Sequence, residues 1–122
     1  MGRLRKRADF LRVAASGWKW AAPGVIVQAD RMPTDGTPDA DIRVGFTVTR
    51  KVGGSVIRNR ARRRLRAAAA AAMPGQARAG FDFVLIGRQA TLTRPFPALV
   101  GDVTAALARL GATSAAPQKQ ES

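Results

Sequence analysis

One stretch of the chain alternates without interruption. Ile42, Val44, Phe46 and Val48 are apolar, and Arg43, Gly45, Thr47 and Thr49 stand between them. A period of two predicts a strand with one buried face. On that face, Phe46→Ala is expected to cost about 3–5 kcal/mol. Val25, Ile26 and Val27 are β-branched and predict a short strand, and residues 81–87 predict a largely buried one. Three other segments follow a helical period. Phe10, Val13 and Ala14 share a face within residues 8–15, which Gly17 closes. Ile57, Ala61, Leu65, Ala68 and Ala72 form a stripe on a helix from Val56 to about Met73. Ser55 is its expected N-cap and Pro74-Gly75 its stop. Phe96, Leu99, Val100, Val103, Leu107 and Leu110 stripe a last helix that begins at Pro95 and Pro97.

The remaining stretches lack such patterns. Trp18, Lys19 and Trp20 suit an extended segment, and residues 32–41, with Pro33, Asp35, Gly36, Pro38, Asp39 and Asp41, a loop. Residues 1–7 carry Arg3, Arg5, Lys6 and Arg7 and are expected to form a mobile basic arm. Residues 113–122 are small and polar, and a disordered tail is expected there. The predicted order is helix, strand, strand, helix, strand, helix: an α+β sandwich with one sheet covered mainly by helices, forming a single domain over residues 1–112.

Charge changes this picture. The chain holds 21 Lys and Arg against 8 Asp and Glu, a net charge of +13. Most of the bases are Arg, whose planar fork matches phosphate and stacks on bases. No acid occurs between Ile42 and Phe81, and six Arg fall within Arg58–Arg66. On a helical wheel Asn59, Arg62, Arg63 and Arg66 point furthest from the apolar stripe, and Arg58 and Arg64 flank it. Like charges four residues apart cost a few tenths of a kcal/mol per pair (roughly 0.2–0.5), which packing must offset. A bound polyanion relieves that repulsion and releases counterions. Asn59 can read a base edge or a 2′-hydroxyl. Gly53-Gly54 suits either a tight turn or a backbone cradle for phosphate.

Other chemistry is excluded or weak. The chain has neither Cys nor His, which removes thiolate zinc sites, Cys nucleophiles and the commonest general base. Asp35, Asp39 and Asp41 suit solvated turn positions better than a metal site, and Asp82 and Asp102 stand apart in the sequence. No catalytic residue, no bound metal or cofactor, and no cleavage by the protein alone is expected. No signal peptide or membrane-length apolar run is apparent, so a cytoplasmic protein without membrane contact is expected. A helix-turn-helix DNA reader would need a second, closely spaced helix.

Arg50-Lys51-Val52-Gly53-Gly54-Ser55-Val56-Ile57-Arg58-Asn59-Arg60-Ala61-Arg62-Arg63 resembles the signature of the bacterial ribonuclease P protein family. Arg43 to Thr49 resembles the family's preceding strand, Arg7-x-Asp9-Phe10-x-x-Val13 its first helix, and Asp82 to Arg88 its later strand. The matches run in order over roughly residues 3–110, and they favour this family over a ribosomal RNA-binding protein.

The resemblance implies a compact α-β-β-β-α-β-α sandwich with a left-handed βαβ crossover, as in certain ribosomal proteins and domain IV of elongation factor G. It therefore adds a short strand that the residue pattern does not place. It implies a protein subunit of an endoribonuclease that removes the 5′ leader of precursor tRNA, with the catalytic RNA and its Mg²⁺ performing the hydrolysis. Its partners would be that RNA and precursor tRNA. Arg50, Lys51, Arg58, Asn59, Arg60, Arg62, Arg63 and Arg66 would face the catalytic RNA. Arg7, Phe10, Arg12, Phe83 and Arg88 would line a cleft for the single-stranded leader. The chain departs from the family at Ala14 and Gln28, where many members carry aromatics, so its stacking platform is thinner. Trp18 and Trp20 match no motif; they suit either the core or replacement aromatics near the cleft.

Overall fold

A computed structural model describes residues 2–32 and 42–111. Its elements are β1 (Gly2–Arg3), α1 (Arg7–Ala15), β2 (Lys19–Ala21), β3 (Val25–Arg31), β4 (Ile42–Thr47), α2 (Ser55–Ala72), β5 (Phe81–Gly87) and α3 (Phe96–Arg109). A single 3₁₀ turn, Gln89–Leu92, separates β5 from α3. The sheet order is β1-β4-β5-β3-β2. β4 and β5 are parallel and joined through α2, whereas β3 is antiparallel to both β5 and β2.

β5 is central and buried on both faces, which explains its nearly continuous apolar sequence. Its odd positions, Phe81, Phe83 and Leu85, join Val25, Val27 and Ala29 of β3 and Ile42 and Val44 of β4. Onto this face pack Ala61, Leu65, Ala68, Ala69 and Ala72 of α2 and Leu99, Val103, Ala106 and Leu107 of α3. Both helical stripes thus bury nearly as their periodicity predicts. A smaller cluster of Leu4, Val13 and Val84, joined by Phe10 and Ile86, lies under α1.

Four expectations are corrected. The strand missing from the residue pattern is β2, too short to show a period. The basic arm is not wholly an arm: Gly2–Arg3 pairs in parallel with Arg43 and Val44, and Leu4 is buried. The reason is that β4 has an open edge there and, among the described residues of this segment, Leu4 is the large apolar side chain that can bury beside it. Gly54, in extended conformation, is the N-cap of α2, with Ser55 its first residue. Phe46 is only half-buried, because it sits at the sheet margin. Residues 33–41, with Asp35, Asp39 and Asp41, and the expected tail at 113–122 lie outside the described residues.

Candidate nucleic-acid interface

Strand alternation sets three rows of side chains across the α1 side of the sheet. In register they are Asp30–Asp82–Arg43, Gln28–Val84–Gly45 and Ile26–Ile86–Thr47. A nine-residue helix is only about 13 Å long, so it cannot cover them all. Arg12 of α1 reaches the first row, and Phe10 and Val13 cover the second. A Cβ on Gly45 would come within 2.5 Å of Phe10 Cζ, so the ring seats only because that position has no side chain.

The uncovered remainder is a cleft of about 470 Å³. Its floor is Gln28, Thr47, Val84 and Ile86, and Phe10, Leu11, Ala14 and Phe46 form its walls. Arg5 and Arg7 also line it and supply its charge. An apolar trough edged by guanidinium groups can stack unpaired bases and hold their phosphates without demanding a sequence.

The first row is neutralised internally. Arg43 donates two hydrogen bonds to fully buried Asp82, Nε to Oδ1 at 2.8 Å and Nη2 to Oδ2 at 2.7 Å. Arg12 also donates to Asp82, to Asp30 Oδ2 at 2.7 Å and to the Arg31 carbonyl at 3.0 Å. Burial alone would lower the Arg12 pKa. The hydrogen bonds to Asp82 and Asp30 outweigh it, and the pKa is raised above the ordinary arginine value. For Arg43 the bonds to Asp82 are the largest influence, and its pKa is raised as well.

The second surface is the solvent side of α2. Val56, Asn59, Arg62, Arg63 and Arg66 line a shallow depression there. Arg62 Nη2 donates to Asn59 Oδ1 at 2.8 Å, and Asn59 itself is exposed. Arg60 is exposed beside Arg63, and Arg50 and Lys51 are exposed in the turn before the helix. Arg58 is half-buried, and its Nε has no hydrogen-bond partner among the described residues. Arg64 serves the fold: its Nε donates to the Thr91 carbonyl at 2.7 Å and its Nη2 to the Arg94 carbonyl. The two surfaces meet where the Arg66 guanidinium lies 5.9 Å from the centroid of the Phe46 ring.

Of the residues expected in the cleft, Phe10 and Arg7 line it. Phe83 does not: it points to the opposite face of β5 and is fully buried between sheet and helices. Arg12 is committed to the carboxylates of the first row. Arg88 lies outside the cleft lining and donates to the Ala22 carbonyl at 2.7 Å. Sequence reasoning missed Arg5, Val84 and Ile86. The interval of two through Asp82, Val84 and Ile86 was a usable signal, but an apolar run on both faces does not reveal which face is which. Trp18 and Trp20 do not replace the missing aromatics. Trp18 stacks on Phe81, and Trp20 lies under Arg109 of α3, both on the helix-covered face.

Among the described residues no group of three or more His, Cys, Asp or Glu is placed to hold a metal ion. Each described carboxylate, Asp9, Asp30, Asp82 and Asp102, pairs with an Arg. Among the described residues no helix is long and apolar enough to cross a membrane.

A family model described as Ribonuclease P matches residues 2–111. The ribonuclease P protein component of Paramagnetospirillum magneticum is 60% identical over 114 residues, 92% of this chain and 84% of the relative. That of Symbiobacterium thermophilum is 41% identical over 109 residues, 89% and 90% of the two chains. Among solved structures, the ribonuclease P protein of Thermotoga maritima superposes with a TM-score of 0.68 at 26% identity, covering 89% of this chain and 97% of the other. The Staphylococcus aureus protein gives 0.70 at 22% identity over 89% and 94%, a likeness of fold.

Proposed function

This chain belongs to the ribonuclease P protein family, and from that premise we propose that it binds the catalytic RNA through α2 and the 5′ leader of precursor tRNA through the cleft beside α1. The observation that carries the proposal is the adjacency of two unlike surfaces. One is an outward face of Asn59, Arg62, Arg63 and Arg66 suited to folded RNA. The other is an apolar trough edged by Arg5 and Arg7, suited to a single strand. The protein thereby holds substrate against the RNA subunit.

Hydrolysis itself belongs to Mg²⁺ ions held by the RNA. The protein contributes positive charge that lowers the Mg²⁺ needed to bring two polyanions together. The carboxylates of the neighbouring row, Asp30 and Asp82, are tied to Arg12 and Arg43. The protein acts in the cytoplasm, with neither DNA nor membrane as partner.

The test is reconstitution with a bacterial ribonuclease P RNA and a precursor tRNA, at Mg²⁺ too low for the RNA alone. Restored cleavage at the mature 5′ end is the expected result. Binding without stimulation would reduce the reading to a general RNA-binding protein.

A further inference from the structure

We propose that Phe96 is a base-stacking residue that extends the RNA-facing surface of α2 onto the start of α3. The proposal rests on the assignment of α2 to RNA. Phe96 opens the apolar stripe of α3, yet it does not share the fate of that stripe. Leu99, Val103 and Leu107 are fully buried, whereas Phe96 is 39% exposed. Its ring, together with Arg60, Arg63, Arg64 and Ala67 of α2, lines a depression of about 320 Å³.

The backbone that carries the ring is also constrained. Pro95 is the N-cap of α3 and Pro97 lies in its first turn, so the backbone on both sides has restricted φ. Arg64 fastens α2 to the segment just before it through the carbonyls of Thr91 and Arg94. An aromatic side chain on a constrained backbone therefore stands beside Arg60 and Arg63, neither of which donates to a protein acceptor in the hydrogen bonds described.

Charge selects the occupant. Asp9, Asp30 and Asp82 lie on the far side of the sheet, and Asp102 is occupied by Arg94 and the Gly24 N–H. No described carboxylate offsets Arg60 and Arg63. An aromatic face next to unopposed guanidinium groups suits an unpaired RNA base with its flanking phosphates. A protein partner with an apolar side chain would use the ring but leave the cations unmatched.

The test is a salt titration of binding between the whole protein and a bacterial ribonuclease P RNA, with thermal melts of each variant. Phe96→Leu keeps an apolar side chain and should melt like the parent. It should bind about tenfold more weakly at every salt concentration, with an unchanged salt slope, because stacking releases no counterions. Phe96→Trp should restore the affinity. Arg60→Ala should instead reduce both affinity and slope. Parental binding by Phe96→Leu overturns the inference and leaves α2 as the RNA surface, with an apolar protein partner the better occupant. A loss that Phe96→Trp fails to relieve overturns it too. Failure of the parent protein to bind this RNA would remove the assignment of α2 itself, and the inference with it.

Discussion

Gly45 and Asp82 are adjacent to the cleft and shape it without lining it. A methyl group at Gly45 would meet Phe10 Cζ at 2.5 Å and Leu4 Cβ at 3.1 Å. Gly45→Ala is therefore expected to unseat Phe10, cost about 1–3 kcal/mol as overpacking does, and weaken leader binding more than binding of leaderless tRNA. Urea unfolding and a comparison of the two substrates check this. Asp82 is fully buried between Arg12 and Arg43. Asp82→Ala leaves two cations facing each other and should cost about 3 kcal/mol, read as a lower urea midpoint. The half-buried position of Phe46 lowers the cost of Phe46→Ala from the full-burial range to about 2 kcal/mol. Which residues alternate was plain in the sequence. How deep each would lie was not, because burial depends on what covers it.

α2 divides its arginines by direction. Arg63 is exposed and Arg62, half-buried, lines the same outer depression, whereas Arg64 is anchored to carbonyls near α3. Arg64→Ala should lower stability by about 2 kcal/mol through two lost charge-assisted hydrogen bonds. Arg63→Ala should leave the melting temperature unchanged and reduce the salt slope of RNA binding by about one ion. Melts and salt titrations of the two variants separate the roles. The helical wheel already separated apolar from polar positions on α2, because the stripe Ala61–Leu65–Ala68–Ala72 fixes one side. It set Arg64 at the flank of the stripe and Arg63 further out, but it did not show that Arg64 is anchored, since that comes from the position of the Thr91–Arg94 segment. Arg66 over Phe46 adds a contact between helix and cleft wall. No periodicity predicts it, because the partners lie on elements separated by the turn at Thr49–Gly53.

Over the whole molecule, charge and topology work together. The described carboxylates are all paired with Arg, mostly on the α1 side and once at α3, so the positive charge of the α2 face and of Arg5 and Arg7 is unopposed. The N-terminal residues take part in this arrangement: β1 closes part of the β4 edge, and Leu4 anchors it in the cluster under α1. Leu4→Ala is expected to cost about 2–3 kcal/mol, and it should also loosen Arg5 from the cleft; a thermal melt and a leader-binding titration report the two effects. Local sequence was enough for the strands β3, β4 and β5, the helices with their buried stripes, the basic face of α2 and the family motif. Each of these is a local period or a contiguous run, written in neighbouring residues. The tertiary structure alone decided that Val84 and Ile86 face the cleft and Phe83 the core. It alone made strands of residues 2–3 and 19–21, and it alone turned the two Trp away from the cleft and Phe96 outward beside Arg60. Those outcomes depend on which elements meet across the sheet, and residues distant in the chain carry no shared period to announce it.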